Sequence, residues 1–367
     1  MRSNRIRPMT CIFYCTDYHL TSMKCVCCGE NHIICPGDIT SRPSELFAPC
    51  PLCNPQIRSK DSPVSPDEVV NGPCRCNRRF IDDVMADLYQ VLFREGALKG
   101  TEPLSSLGTP LICPGLFLRR PPMLPPRSLL LISDLIPVSA AQVAYRDVPE
   151  LLGIVYHSHE IPGPGDVTFG REPSIREGYL LCGCDVRADI FLSGKGPVIV
   201  IKKQADMHIE FPKGIDPKVV SVEEQVRHRH PDVFVDACAG PGTLGMTAAI
   251  FGVPQIIMCD VWHASVWSAI QTIRVNQKKL GITEIRICED IGRRPSVWSG
   301  KPALICTASG NGVQIKLYNG SYEFLGPEIP SGNRLTVFDP FDKASFRKND
   351  QFLNEWAQKI GGEVFIP

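Results

Sequence analysis

The stretch Val233-Phe-Val-Asp-Ala-Cys-Ala-Gly-Pro-Gly-Thr-Leu-Gly245 constrains the chain more than any other. Its first three residues are apolar and β-rich, as in a buried strand, and that strand ends on an acid, Asp236. The glycines at 240, 242 and 245 then allow positive φ and close backbone approach, and a helical pattern opening near Thr243 adds unpaired N–H donors. A strand, a glycine turn and a helix N-terminus in that order make a ligand cradle at the carboxyl edge of a parallel sheet. The alternation continues downstream. Strands are predicted at Gln255–Asp260, Glu284–Cys288, Leu335–Asp339 and Glu363–Ile366, with helices over Ala264–Leu280 and Gln351–Ile360 between them. Such alternation predicts an α/β domain with helices on both faces of its sheet.

In dinucleotide-binding domains the first glycine normally follows the strand at once, whereas here Asp236 stands four positions ahead of Gly240. The pattern Asp-Ala-Cys-Ala-Gly-Pro-Gly-Thr-Leu-Gly resembles motif I of the class I S-adenosylmethionine (SAM)-dependent methyltransferases, in particular RNA methyltransferases. The resemblance covers Val219 to Pro367 and implies a Rossmann-like domain that binds SAM. It implies that Asp236 and Ala237 with Gly240, Gly242 and Gly245 pack against the methionine part of the cofactor. Asp260, with Val261 after it, would take the ribose hydroxyls, since a carboxylate accepts two donors. Asp290 (or Glu289) would lie near the adenine amino group. Asp339-Pro340-Phe341-Asp342 resembles motif IV of enzymes that methylate nitrogen. There Asp339, Pro340 and Phe341 would be the catalytic residues, the acid and backbone holding the target nitrogen and the ring stacking on a planar substrate. The second proline of that motif is missing, and Asp-Pro-Phe is closer to tRNA guanine-N2 methyltransferases.

Two departures accompany the resemblance. About 45 residues separate the predicted third and fourth strands, and KPALICTASGNGVQIKLYNGSYEFL among them reads as an inserted β-hairpin, longer than a loop of roughly 2–6 residues and suited to a substrate or domain contact. The chain also stops after a fifth strand, so either the sheet is short or an earlier β segment supplies its edge.

Ten of the 17 cysteines lie between residues 11 and 76. No secretory leader is recognisable in MRSNRIRPMTCIFYC, and no apolar run reaches the roughly 18 residues of a membrane span, so the chain is expected to be cytoplasmic. Clustered cysteine pairs in a reducing compartment point to metal. Cys25-Val-Cys-Cys28-Gly and Cys50-Pro-Leu-Cys53 are two C-x-x-C knuckles, 21 residues apart. They are expected to close one four-thiolate zinc ribbon, with Cys27 as an alternative ligand. Cys11, Cys15, Cys74 and Cys76 form a second candidate site, with Cys35, His19 and His32 as spare donors.

The expected organisation is thus a Cys-rich zinc-binding domain (1–80), a β-rich middle region (81–218) and a methyltransferase domain (219–367). The middle region opens with an amphipathic helix over Arg79–Arg94, and GYLLCGCDVRADIFLSGKGPVIVIKK reads as strands with a hairpin turn at Ser-Gly-Lys-Gly. Residues 97–177 give no fold assignment. Lysine plus arginine equals aspartate plus glutamate at 39 each, so an RNA-binding surface must be a local patch. Arg75, Arg78, Arg79, Arg119, Arg120 and Arg127 are candidates for it, against the alternative of a solvated basic face. His157, His159 and Glu160 could bind metal or serve as a base, or simply pack in a loop. His228 and His230 read as surface, Cys238 as a small packing residue, and Trp262, Trp267 and Trp298 as core or as stacking partners. RNA, as tRNA or rRNA base nitrogen, is the favoured substrate. The rivals are a protein side chain, which the neutral charge favours, and a non-catalytic zinc- or SAM-binding interaction protein, which the short sheet favours.

Overall fold

The computed structural model describes residues 22–39, 43–157, 163–164, 175–176, 178–340 and 350–367. Helix α1 (Ile81–Arg94) forms where the sequence places Val84, Leu88, Val91 and Leu92 on one face, and it buries that face. Asp82 and Asp83 occupy its first turn, where the helix dipole favours acids. Asp83 pairs with Arg58 at 2.9 Å and Asp82 pairs with Lys60, tying the preceding Cys-rich segment to the helix. Residues between 97 and 177, which carry no sequence-level assignment, supply three strands of a four-stranded sheet, and the start of the predicted strand run GYLLCG supplies the fourth. The sheet contains β1 (Thr109–Ile112), β2 (Leu129–Ser133), β3 (Leu151–Tyr156) and β4 (Tyr179–Gly183), in the order β4-β3-β2-β1. β2 and β3 are parallel, and α2 (Val138–Asp147) makes the crossover between them.

β5 (Val186–Ser193) and β6 (Gly196–Lys203) make the hairpin read from Ser-Gly-Lys-Gly, in unbroken register from Val186↔Lys203 to Ser193↔Gly196. Helix α3 (Pro217–Arg229) then leads to β7 (Val233–Asp236), α4 (Thr243–Ile250), β8 (Gln255–Asp260) and α5 (His263–Leu280). After them come β9 (Glu284–Ile287), β10 (Ala303–Gly310), β11 (Val313–Asn319), β12 (Arg334–Val337), α6 (Asp350–Ile360) and β13 (Glu363–Phe365). These strands build one seven-stranded sheet in the order β9-β10-β11-β8-β7-β12-β13.

The segment expected as an inserted hairpin is a hairpin, β10–β11, but it lies in the sheet. β11 runs parallel to β8 in the register Asp260↔Asn319, and β9 is pushed to the far edge, antiparallel to β10. At the other edge the sheet ends with β13, and among the described residues no earlier strand extends it. The β5–β6 hairpin instead packs against α5. Asn276, in the Val-Asn-Gln-Lys ending of that helix, donates to the Ile199 carbonyl at 2.6 Å and accepts from its N–H at 3.2 Å. Thr272, one turn earlier, accepts from the Ile201 N–H at 3.0 Å. Two buried polar residues at i and i+4 thereby satisfy a strand edge that would otherwise bury unpaired backbone groups.

Alternate residues of the central strands face opposite layers, as the strand period requires. Phe234, Ile256, Met258 and Leu317 face the side of α3–α5, joined there by Phe191 and Val198 of the hairpin. Val233, Val235, Ile257 and Tyr318 face Trp356 and Ile360 of α6. Among the described residues no helix is long and apolar enough to cross a membrane.

Candidate cofactor site and metal-ligand clusters

The glycine turn sits between β7 and α4 at the carboxyl edge of the sheet. Gly240 and Gly242 have φ of +52° and +88°, a region that penalises a Cβ. Gly245 has another purpose: a Cβ there would come within 2.7 Å of the Met258 sulfur, so its absence lets α4 pack directly on β8. At Gly240 a Cβ would meet nothing within 4 Å, which leaves the floor of the turn open to a ligand.

Two carboxylates frame this floor. Asp236 is fully buried; its Oδ2 accepts from the Gly245 N–H at 2.9 Å, while its Oδ1 has no hydrogen-bond partner. Burial pushes its carboxyl up to about 8. Asp260, at the end of β8, accepts from the Gly240 N–H through Oδ2 and from the Trp262 N–H through Oδ1, both at 2.8 Å. Burial raises it to about 6. Its oxygens keep further lone pairs for outside donors. The Ala237 N–H bonds to the Val337 carbonyl at 3.1 Å, which joins the glycine turn to the next strand. The Val261 carbonyl is occupied by the Trp298 N–H at 2.8 Å and by Asn319 Nδ2 at 3.2 Å.

Asp339 and Pro340 follow β12 on the same edge. Asp339 pairs with Lys218 Nζ at 2.7 Å. Lys218 is placed by the cap of α3: Asp216 accepts from the Lys218 N–H at 2.9 Å, with Pro217 as the first helical residue. Burial works against the Lys218 charge, but Asp339 and Glu210 more than offset it and hold the ammonium above its usual range. The chain of charge continues inward, from Glu210 to Lys202 at 2.8 Å and from Lys202 to Asp189 at 3.3 Å. Phe338, beside Asp339, is sealed edge-on against Trp356 and Tyr322, each ring 5.1 Å away, which fixes the strand end. Phe341 lies outside the described residues, as does Asp342.

Asp290 is not where the resemblance implies. β9 stands three strand spacings from β8, roughly 14 Å, because β10 and β11 lie between them. Asp290 is exposed and caps a short 3₁₀ turn by accepting from the Gly292 N–H at 3.0 Å, while Glu289 pairs with Arg294 at 2.9 Å. The position beside Asp260 belongs to Asn319, which sequence reading missed. Asn319 is fully buried, donates to the Asp260 carbonyl at 3.0 Å and accepts from Arg294 Nε at 2.7 Å. The Tyr-Asn-Gly at the end of β11 was its one local sign.

The two cysteine knuckles do not share a site. Cys50 and Cys53 gather with Cys74 and Cys76, and Cys25 and Cys28 gather with His32 and Cys184. A single ribbon was expected because the sequence spacing between the knuckles suits one, but each knuckle finds nearer donors in the fold. In the first set the sulfurs are 3.6 Å apart for Cys50–Cys53 and 3.7 Å for both Cys50–Cys74 and Cys53–Cys76. These are free thiols rather than disulfides, whose sulfurs lie about 2.04 Å apart. A tetrahedral zinc ion with bonds of about 2.3 Å spaces its sulfurs about 3.8 Å apart, so the cluster fits that ion. The Leu52 N–H points at the Cys50 sulfur from 3.4 Å and draws that thiol down to about 7. Cys11 and Cys15, expected beside Cys74 and Cys76, lie outside the described residues, as does His19.

Among the other candidates, Arg79 is buried in ion pairs with Glu150 at 2.6 Å and Asp87 at 2.7 Å. Arg78 bonds to the Ala48 carbonyl, and Arg127 to the carbonyls of Tyr145 and Leu151. Arg75, Arg119 and Arg120 remain exposed. His157 is buried at the end of β3, while His159 and Glu160 fall outside the described residues. His228 and His230 are exposed, Trp262 is core, and Cys238 is a packing residue whose thiol burial pushes well up. Trp267 is half-buried between two core layers. Trp298 is half-exposed under the Arg294 guanidinium, 5.2 Å from its ring centre.

No protein-family model matches the chain, and no curated protein matches it. Several solved structures do. Pyrococcus horikoshii TYW2 in complex with MeSAdo is 14% identical over 76% of each chain, with a TM-score of 0.35. The complex of aTrm5 and tRNALeu is 15% identical over 77% of this chain and 62% of that one, with a TM-score of 0.33. The tRNA m1G37 methyltransferase of M. jannaschii is 13% identical over 72% of this chain and 60% of that one, with a TM-score of 0.30. The chain therefore spans less than two thirds of the length of the latter two. With TM-scores this low, the function of the chain rests on the geometry of its own site.

Proposed function

We propose that the chain is a SAM-dependent methyltransferase acting on RNA, with an N-terminal zinc-bearing segment. The observation that carries this is Asp236. It is an acid sealed at the end of the central strand, with one oxygen on the helix N–H and the other unpartnered, beside an open glycine turn. A dinucleotide fold has no use for an acid there, whereas the α-ammonium of SAM gives the unpartnered oxygen a cationic partner, directly or through water. Such a partner favours the ionised carboxyl against its burial. Asp260 accepts the two ribose hydroxyls, and the backbone at Ala237 and Val261 lines the floor. Bound there, SAM supplies a sulfonium methyl for in-line displacement. Asp339 and the Pro340 backbone hold the accepting nitrogen, and Lys218, 2.7 Å from Asp339, keeps its carboxylate aimed. The gain is chiefly one of alignment. Cys50, Cys53, Cys74 and Cys76 hold a structural zinc ion, which orders a segment with little apolar core of its own.

The choice of RNA rests on the Asp-Pro-Phe turn, the cysteine-rich segment and the exposed Arg75, Arg119 and Arg120. It is tested by presenting methyl-labelled SAM with bulk tRNA, rRNA and total protein as acceptors. Label is expected in RNA, falling as salt rises because phosphate contacts are screened. Label in protein alone overturns the RNA reading, and no label in any acceptor from protein that binds SAM overturns the enzyme reading.

The cofactor site also sets a pH dependence. Asp260 accepts hydroxyl hydrogens best when ionised, and burial puts its carboxyl at about 6. Below that value a proton competes with the ribose, so the Asp260 contribution to SAM affinity is expected to fall about tenfold per pH unit between 6 and 4 and to be constant above 7, separately from the change that Asp236, at about 8, imposes at higher pH. Calorimetric titration across that range checks it, and a flat profile removes Asp260 from the ribose.

A further inference from the structure

We propose that Cys25, Cys28, His32 and Cys184 form a second zinc site, which fastens the N-terminal knuckle to the turn between β4 and β5. The four donor atoms lie within 4.8 Å of one another. Cys25 and Cys184 sulfurs are 3.7 Å apart, and the Cys28 sulfur is 3.2 Å from His32 Nε2. Tetrahedral zinc bonded at about 2.3 Å to sulfur and about 2.05 Å to nitrogen requires separations of about 3.8 and 3.6 Å. Three thiols with one imidazole make a soft donor set that suits zinc and disfavours magnesium or calcium.

The knuckle has the geometry of a ligand turn. The Cys27 N–H points at the Cys25 sulfur from 3.4 Å, as the Leu52 N–H does at Cys50 in the other cluster. Gly29, with φ of +76°, closes the loop as its N–H bonds to the Cys25 carbonyl at 2.8 Å. The distant ligand is held before any metal arrives. The Cys184 N–H bonds to the Leu152 carbonyl at 2.9 Å, and a Cβ on the neighbouring Gly183 would come within 2.2 Å of that same oxygen. Cys25 and Cys184 are both buried, so their sulfurs face each other away from water. Two buried thiols with no disulfide between them gain most when an ion replaces their protons.

This site differs from the Cys50 cluster in what it joins. The Cys50 ligands all lie within 27 positions of chain and close a local loop. The other site links residues 159 positions apart and fixes the N-terminal strand pair, Ser22–Met23 with Ile33–Ile34, to the middle sheet.

The test is metal content of the full-length chain after dialysis against a weak chelator. Two zinc ions per chain are expected in the wild type and one in Cys184→Ser. One is also expected in Cys74→Ser, and none in the double variant. His32→Cys is expected to keep both ions and, with cobalt in place of zinc, to shift the spectrum toward that of a four-thiolate site. Two ions retained by Cys184→Ser overturn the proposal, as does a wild type with one ion that Cys74→Ser removes. If Cys184→Ser does not fold, the cobalt spectrum of His32→Cys decides: a spectrum identical to wild type overturns the proposal, and a shifted one upholds it.

Discussion

Asp260→Ala is expected to lose SAM and S-adenosylhomocysteine binding, with the dissociation constant rising about 10²-fold or more. Two hydroxyl hydrogen bonds to a carboxylate contribute about 1.5–3 kcal/mol each, and about 1.4 kcal/mol is a tenfold change in affinity. The same substitution strips acceptors from the Gly240 and Trp262 N–H groups, so the glycine turn itself loosens. Asp260→Asn separates the two effects, because its amide oxygen keeps one of those N–H groups while the charge is gone. Isothermal calorimetry on variants whose far-UV dichroism matches wild type gives the answer. A folded Asp260→Ala that binds SAM within about threefold of wild type, less than 1 kcal/mol, would remove the ribose role and with it the best-placed part of the cofactor reading.

Asp339→Ala is expected to do the reverse: SAM affinity changes modestly while kcat drops about 10²–10³-fold, the scale of losing one aligned polar contact at the reacting centre. The carboxylate lies beyond β12 and pairs with Lys218; its charge also opposes ionisation of Asp236, so its loss is expected to change SAM affinity modestly and turnover strongly. Among the described residues its loss leaves the partly buried Lys218 ammonium with Glu210, 3.9 Å away, as its ion-pair partner. Asp339→Asn keeps an acceptor oxygen and should recover part of the rate. Single-turnover methyl transfer with saturating SAM reads kcat free of binding. Unchanged turnover in Asp339→Ala would show that the accepting nitrogen is held by some other group.

The central part of this fold could be read from the sequence because its signals are local. Gln255–Asp260 was placed to the residue, and α5 to within one residue at its start, since a β-branched run ending in an acid and an 18-residue helical period each carry their own boundary. The glycine turn announced its backbone in the same way. What escaped was set at long range. The hairpin over 303–319 was visible as a hairpin, but nothing within it says that β11 lies beside β8 and displaces β9, so Asp290 was placed beside the adenine and Asn319 was overlooked. Cys184 sits within the strand-forming run Leu-Leu-Cys-Gly-Cys-Asp and carries no knuckle spacing. It becomes a partner of Cys25 only through the packing of β4 and β5 on the N-terminal segment. Spacing rules pair ligands that are near in sequence, and here they paired two knuckles that the fold keeps apart.

The contact between Cys25 and Cys184 also orders events on the ribosome. The knuckle leaves the exit tunnel first, and its partner follows 159 residues later. At about 5–20 residues per second that delay is on the order of 10–30 s. Through that interval the growing chain carries an unfinished trio of donors, two thiols and an imidazole, while the Cys50 group can close as soon as residue 76 emerges. A zinc site shared by Cys25 and Cys184 would give assembly a sequence: the local cluster could mature early, and the N-terminal knuckle would gain its last ligand only after the strands around Cys184 have been made.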